Sequence, residues 1–207
     1  MSEEAARGTV EVIEPSSSQL AFARGVAESK ATAPHLYLEA QVRLKSDLEH
    51  GPYAAIVWGC GLALRDCPHV NGAYRDGHFE LYSRVNVGFF AEGPEGIQIP
   101  VIRDADGKDQ ATIAAELREL GERVRSGAIT RPELSGGTFA VAGLGPHGLS
   151  RLVPIIHRGQ AATLGIGGLG DQRLVATLAC DQRILQGGQG AEFLHRLREC
   201  LEAPDDV

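Results

Sequence analysis

The stretch YAAIVWGCGLALRDC, residues 53–67, is apolar nearly all the way round at helical spacing. A helix without a polar face has to be covered on every side, so the chain must build layers around it. The remaining patterns supply them. Pro15 closes an extended N-terminal arm over residues 1–15, and the Ser16-Ser17-Ser18 run caps a helix over SQLAFARGVAESK, with Leu20, Ala23, Val26 and Ala27 on one face. Pro34 stops that helix, and HLYLEAQVRL (His35 to Leu44) alternates apolar and polar residues as a half-buried strand does. Beyond the apolar helix, HFELYS, RVNVGFFAE and GIQIPVIRDAD read as three strands. DQATIAAELRELGERVRSGAI reads as an amphipathic helix with Ile113, Leu117, Leu120 and Val124 at helical spacing. GTFAVAGLG, AATLGIGG and QRLVATLACD are further strands, and GAEFLHRLRECLE is a closing helix. With no internal repeat and no linker, residues 16–207 form one α/β domain with a mixed sheet.

Bulk properties exclude several classes. The 207 residues suffice for one large domain and not for two. A net charge of −7 argues against a nucleic-acid partner, which needs a clustered positive face. No apolar run reaches membrane-spanning length, and the acidic start MSEEAARGTVEV is neither a secretory signal nor an Arg-rich transit peptide. Cys60, Cys67, Cys180 and Cys200 lack metal-ligand spacing and read as reduced thiols of a cytoplasmic protein with no metal.

Several ordered blocks resemble the catalytic domain of the dihydrolipoamide acyltransferases of 2-oxo acid dehydrogenase complexes, from about Pro15 to Glu202. ARGVAESKATAPH is similar to that family's first helix with its following Pro-His. VNVGFF, GIQIPVIRDAD and GGTFAVAGLGPHG are similar to three core strands and turns. VPIIHRGQAATLGIG is similar to the segment leading into the sheet, and LACDQRILQGGQGAEFL to the catalytic block. The resemblance implies a chloramphenicol-acetyltransferase-like fold, a homotrimer with active sites between subunits, and acyl-CoA as donor substrate.

The departures bear on function. The family's block reads Asp-His-Arg, with the histidine as general base; here the matching position is Gln182, and an amide has no useful proton affinity near neutral pH. The family's Asp before the glycine corresponds to Gln186. The family's serine or threonine in a TISNLG-type turn, which stabilises the oxyanion, corresponds to Ala142 in AVAGLG. Losing an oxyanion donor costs about 2.7–4 kcal/mol of transition-state stabilisation, and losing the base removes roughly two to four further powers of ten. Asp181 and Arg183 remain, and in the family they form an ionic link that fixes the turn. His147 stands where the family places an aromatic beside the substrate channel. Two readings stay open for it: a relocated base, its unperturbed pKa of about 6.5 suited to the role, or a channel-wall residue. His157 replaces a polar residue of a PIIN-type segment and reads as structural, His35 as a packing residue, and His50, His69, His78 and His195 as solvated.

GIGGLG (Gly165 to Gly170) matches G-x-G-x-x-G, but a dinucleotide site needs a helix to follow and the next segment is strand-like; a tight hairpin is expected. No lipoyl or peripheral-subunit-binding domain is expected, and the acidic Asp205-Asp206 end lacks the apolar hook by which the family's trimers join into larger cores. A free trimer follows. Two classes of function remain: an acyltransferase acting on a small-molecule acceptor without the family histidine, or an inactive trimer that binds a ligand or a partner protein.

Overall fold

A computed structural model of the chain describes residues 8–45, 48–143, 148–170 and 172–202. Residues 8–16 carry neither helix nor strand, and α1 (Ser17–Thr32) starts at a reciprocal cap. The Ser16 hydroxyl accepts from the Gln19 N–H at 3.2 Å, and the Gln19 side chain accepts from the Ser16 N–H at 2.8 Å. The extended Ala33 before Pro34 ends it.

The buried helix is α2 (Pro52–Asp66), in which Ile56, Val57 and Cys60 have no exposure at all. Its glycines explain how it is enclosed. A Cβ on Gly59 would lie 3.1 Å from Leu197, and one on Gly61 would lie 2.8 Å from the Ala105 backbone. A helix covers one side, a 3₁₀ turn another, and the main sheet a third.

That sheet has six strands in the order β1-β10-β9-β8-β4-β7. β1 (His35–Arg43), β10 (Arg173–Asp181) and β9 (Ala162–Gly170) pair antiparallel; β9, β8 (Phe139–Gly143) and β4 (Val87–Phe89) pair parallel; β7 (Val101–Ile102) closes the edge antiparallel. Cross-strand partners share a face. The row Val141, Leu164, Leu178, Leu38 faces α2 and α4 (Gly187–Leu201) and belongs to the main core. α3 (Gln110–Arg125) adds Ile113 and Val124, capped by the Asp109 carboxylate on the Thr112 N–H at 2.8 Å.

The opposite face carries small residues: Ala140, Ala142, Thr163, Gly165, Thr177 and Ala179. Their size lets the extended segment 150–157 lie flat on the sheet. A Cβ on Gly165 would fall 2.2 Å from the Leu152 carbonyl oxygen, and one on Gly167 would fall 2.5 Å from Arg151 Cα. Gly165→Val is therefore expected to destabilise the fold by about 1–3 kcal/mol, the usual cost of overpacking, read as a lower urea midpoint. Wild-type stability in this variant would show that the segment does not bear on the sheet.

Several expectations are corrected. RVNVGFFAE splits at Phe90 into β4 and β5 (Ala91–Gly93), and GIQIPVIRDAD splits at Ile99-Pro100 into β6 (Gly96–Gln98) and β7. Proline has no N–H for a ladder, so β4 and β7 stay in the main sheet while β5 and β6 form a separate hairpin. HFELYS is a strand as expected, β3 (His78–Leu81), and it pairs with β2 (Gly72–Arg75), a strand the sequence reading does not pick out, in a second hairpin. In α1 the stripe turned inward is Phe22, Gly25, Val26 and Ser29, not the face of Leu20, Ala23 and Ala27, which stays exposed. Ser29 anchors it, its hydroxyl donating to the Ile156 carbonyl at 2.6 Å. The GIGGLG residues lie within β9 rather than forming the turn, and the strand β10 follows.

Cys60, Cys67, Cys180 and Cys200 are buried and unbridged. Burial pushes the Cys180 thiol up to about 12 and the Cys67 thiol to about 11, so the reactive thiolate is scarce at pH 8. Folded protein is expected to label with a thiol reagent only as fast as it opens; rapid stoichiometric labelling would contradict this burial.

Candidate active site

The turn after β10 is held by its own charges. Asp181, with a side chain 3% exposed, accepts from the Arg183 backbone N–H and Nε at 3.0 Å each and from Nη2 at 2.7 Å. The Asp181 carbonyl accepts from the Ile184 and Leu185 N–H groups, closing the turn. The Arg183 guanidinium lies 4.5 Å from the centre of the Tyr74 ring on β2, a stacking geometry that also secures the arginine. Between the two charged residues, Gln182 donates its backbone N–H to the Pro34 carbonyl at 3.0 Å and leaves its side chain exposed. Gln186 is the exposed N-cap of α4, where its backbone N–H donates to Gln189 Oε1 at 3.0 Å.

Tyr74 escapes the sequence reading, although a signal for its strand was there. Asp76-Gly77 between apolar runs is a two-residue hairpin turn, and both residues have positive φ, 49° and 82°.

Ala142 sits elsewhere. It pairs with Gly165, and Gly165 with Thr177, four residues before Asp181. Two strand spacings of ~4.7 Å and four residues at ~3.3 Å put the Ala142 and Asp181 Cα atoms about 16 Å apart. One chain therefore does not bring positions 142 and 182 to the same atom. His147 lies outside the described residues.

Two cavities flank this span. An apolar one of about 470 Å³ is walled by Phe22, Val26, Phe90, Ile97, Leu152 and Ala142. A polar one of about 870 Å³ is walled by Tyr74, Arg75, Asp76, Gln160, Asp181 and Arg183. They share Ile156, His157 and Arg158. The His157 N–H donates to Thr163 Oγ1 at 2.9 Å, and burial lowers the pKa of its ring. His35 does more than pack: its Nε2 accepts from the Ile156 N–H at 3.1 Å, so Nδ1 is left to donate to the Ala33 carbonyl at 2.7 Å. It ties the start of β1 to the wall that both cavities share. Among the described residues no group of three or more His, Cys, Asp or Glu could hold a metal, and no helix is long and apolar enough to cross a membrane.

The sequence profile of the 2-oxoacid dehydrogenases acyltransferase (catalytic domain) matches residues 7–207. The chain is 32% identical over 221 residues to the dihydrolipoyllysine-residue acetyltransferase component 2 of the mitochondrial pyruvate dehydrogenase complex of Arabidopsis thaliana, covering 92% of this chain and 40% of that protein. It is 32% identical over 216 residues to the corresponding component of Caenorhabditis elegans, covering 88% of this chain and 43% of that one. The chain thus spans less than half the length of these relatives. In fold, it superposes with a TM-score of 0.87 on a probable dihydrolipoamide acetyltransferase of Listeria monocytogenes, at 22% identity and covering 97% and 98% of the two chains. A chloramphenicol acetyltransferase superposes at 0.55, with 13% identity and 94% and 99% covered.

Proposed function

We propose, on the premise that the chain belongs to the family of 2-oxoacid dehydrogenase acyltransferase catalytic domains, that it binds an acyl-CoA in a channel between copies of itself and passes the acyl group to a small-molecule acceptor. The observation that carries this reading is the shared wall. Ile156, His157 and Arg158 border both cavities, so the two cavities span the distance from Ala142 to the Asp181–Arg183 turn. The separation of about 16 Å supports an assembly in which a second copy completes each site. The exposed apolar side chains of Val10, Val12 and Ile13 support it as well, since they need a cover. A homotrimer is the assembly this reading takes, and the four unbridged thiols fit a cytoplasmic setting.

Chemically, the channel would work chiefly by holding donor and acceptor together. Orientation of two reactants contributes about 7–11 kcal/mol, more than the roughly 2.7–4 kcal/mol forgone with the oxyanion hydroxyl. The Asp181–Arg183 pair keeps the turn rigid and takes no part in proton transfer. The second reading is an inactive trimer that binds a ligand or a partner protein, and the quiet chemistry of Gln182, Gln186 and Ala142 favours it.

Loss of the thioester of acetyl-CoA, followed with thiol, amine and alcohol acceptors, separates the two. The acyltransferase reading expects turnover with at least one acceptor class. Acetyl-CoA that binds and is never consumed would leave the inactive trimer.

A further inference from the structure

Resting on that reading, we propose that His157 is the proton acceptor of the reaction. Its place in the fold singles it out. It is the one histidine among the described residues that walls both the apolar cavity beside Ala142 and the polar cavity beneath the Asp181–Arg183 turn. Its backbone is fixed by the N–H donated to Thr163 Oγ1, and the preceding residue is held at both ends, by Ser29 on the Ile156 carbonyl and by His35 on the Ile156 N–H. The residue is thereby positioned by strand β9, helix α1 and strand β1 together. No described residue hydrogen-bonds to its ring, so both nitrogens are open to a ligand.

Thr163 also relates the His157 backbone to position 142 through the sheet register. Thr163 pairs with Ala140, two residues before Ala142 on the same face. His157 is thus joined to β9 at a point one strand and two residues from Ala142 on one side and from Asp181 on the other, whereas Ala142 and Asp181 are about 16 Å from each other. A base on the 150–157 segment serves the same cavity wall as position 142 within one chain, which the family's turn cannot do.

The step balances without a further reagent. The acceptor X–H gives its proton to a ring nitrogen of His157 while X forms a bond to the thioester carbonyl carbon. The tetrahedral adduct collapses, the C–S bond breaks, and the CoA thiolate leaves with the proton returned from the imidazolium. Burial holds the ring below its ordinary value, so it is neutral at pH 7 and able to accept. The charges around the cavities include two ion pairs, Arg158 with Glu28 at 3.4 Å and Arg183 with Asp181 at 2.7 Å, together with Arg75 and Asp76. Arg75 is paired in turn with Glu80 at 3.6 Å.

The test uses intact protein and acetyl-CoA, with dithiothreitol as the acceptor thiol. Donor affinity is measured first by calorimetry, in wild type and in His157→Asn. The proposal expects equal affinity, a kcat about 10²-fold lower in the variant, and loss of its pH dependence. The wild-type rate rises with pH through one inflection below about 6.5, and His157→Asn is flat there. Imidazole added to His157→Ala restores part of the rate. An undiminished kcat in His157→Asn, an inflection that persists in it, or turnover abolished by His147→Ala but not by His157→Asn overturns the assignment. Acetyl-CoA that binds wild type without any turnover overturns it too. Failure of wild type to bind acetyl-CoA is a different result: it removes the channel reading itself.

Discussion

The double variant Gln182→His, Ala142→Ser is expected to raise acetyl transfer from acetyl-CoA by at least about 10²-fold over wild type. The turn is ready for the histidine, because its shape comes from the Asp181–Arg183 pair and the Gln182 N–H on the Pro34 carbonyl, none of which involves the side chain at 182. Position 142 is 3% exposed and walls the apolar cavity, so on the proposed reading a serine hydroxyl there would supply an oxyanion donor to the channel. That donor is worth about 2.7–4 kcal/mol, or 10²–10³ in rate, whichever base operates, and a base at 182 adds to it. The kcat of the double variant and of each single variant reads the effect. A folded double variant that binds acetyl-CoA and gains nothing would show that the two positions no longer face a reacting acyl group.

The second large effect is on stability. Asp181→Ala is expected to cost about 3 kcal/mol, the lower end of the 3–5 kcal/mol typical when one partner of a buried pair is removed. The lower end applies because the Arg183 side chain is still 31% exposed and can reach water. The carboxylate lost is almost fully buried and accepts from the backbone N–H, Nε and Nη2 of Arg183. Asp181→Asn keeps one acceptor and should lose less. Urea unfolding measures both. A loss under about 1 kcal/mol in the alanine variant would mean that the turn is held by its backbone and by Arg183 on Tyr74, not by the ion pair.

The sequence made the layered architecture legible because its strongest signal, the helix at residues 53–67, leaves no polar face, and α2 is buried along most of its length, with Trp58 and Leu62 half-buried on its outer side. What it hid depended on small residues. The inward stripe of α1 runs through Gly25 and Ser29, which carry little hydrophobic signal, so periodicity points to the more apolar Leu20 face instead. Gly165 and Gly167 read as turn residues and prove to be the flat floor beneath segment 150–157. Strand breaks at Phe90 and Pro100 follow from a change of sheet partner, which periodicity does not carry.

The candidate site was legible in part for a related reason. Asp181, Gln182, Arg183 and Gln186 are contiguous, so an ordered block reveals them together. Tyr74 and His157 join the site only through tertiary contacts, one through the β2–β3 hairpin and the other through a segment laid across the sheet. The separation of positions 142 and 182 follows from strand register and not from spacing along the chain.

Calorimetric titration of the purified protein with acetyl-CoA and with free CoA tests the central claim most directly. The account predicts saturable binding with a Kd on the order of micromolar, weakened when the wall of the apolar cavity is filled by a bulky residue at position 142. Absence of binding at millimolar ligand would contradict it.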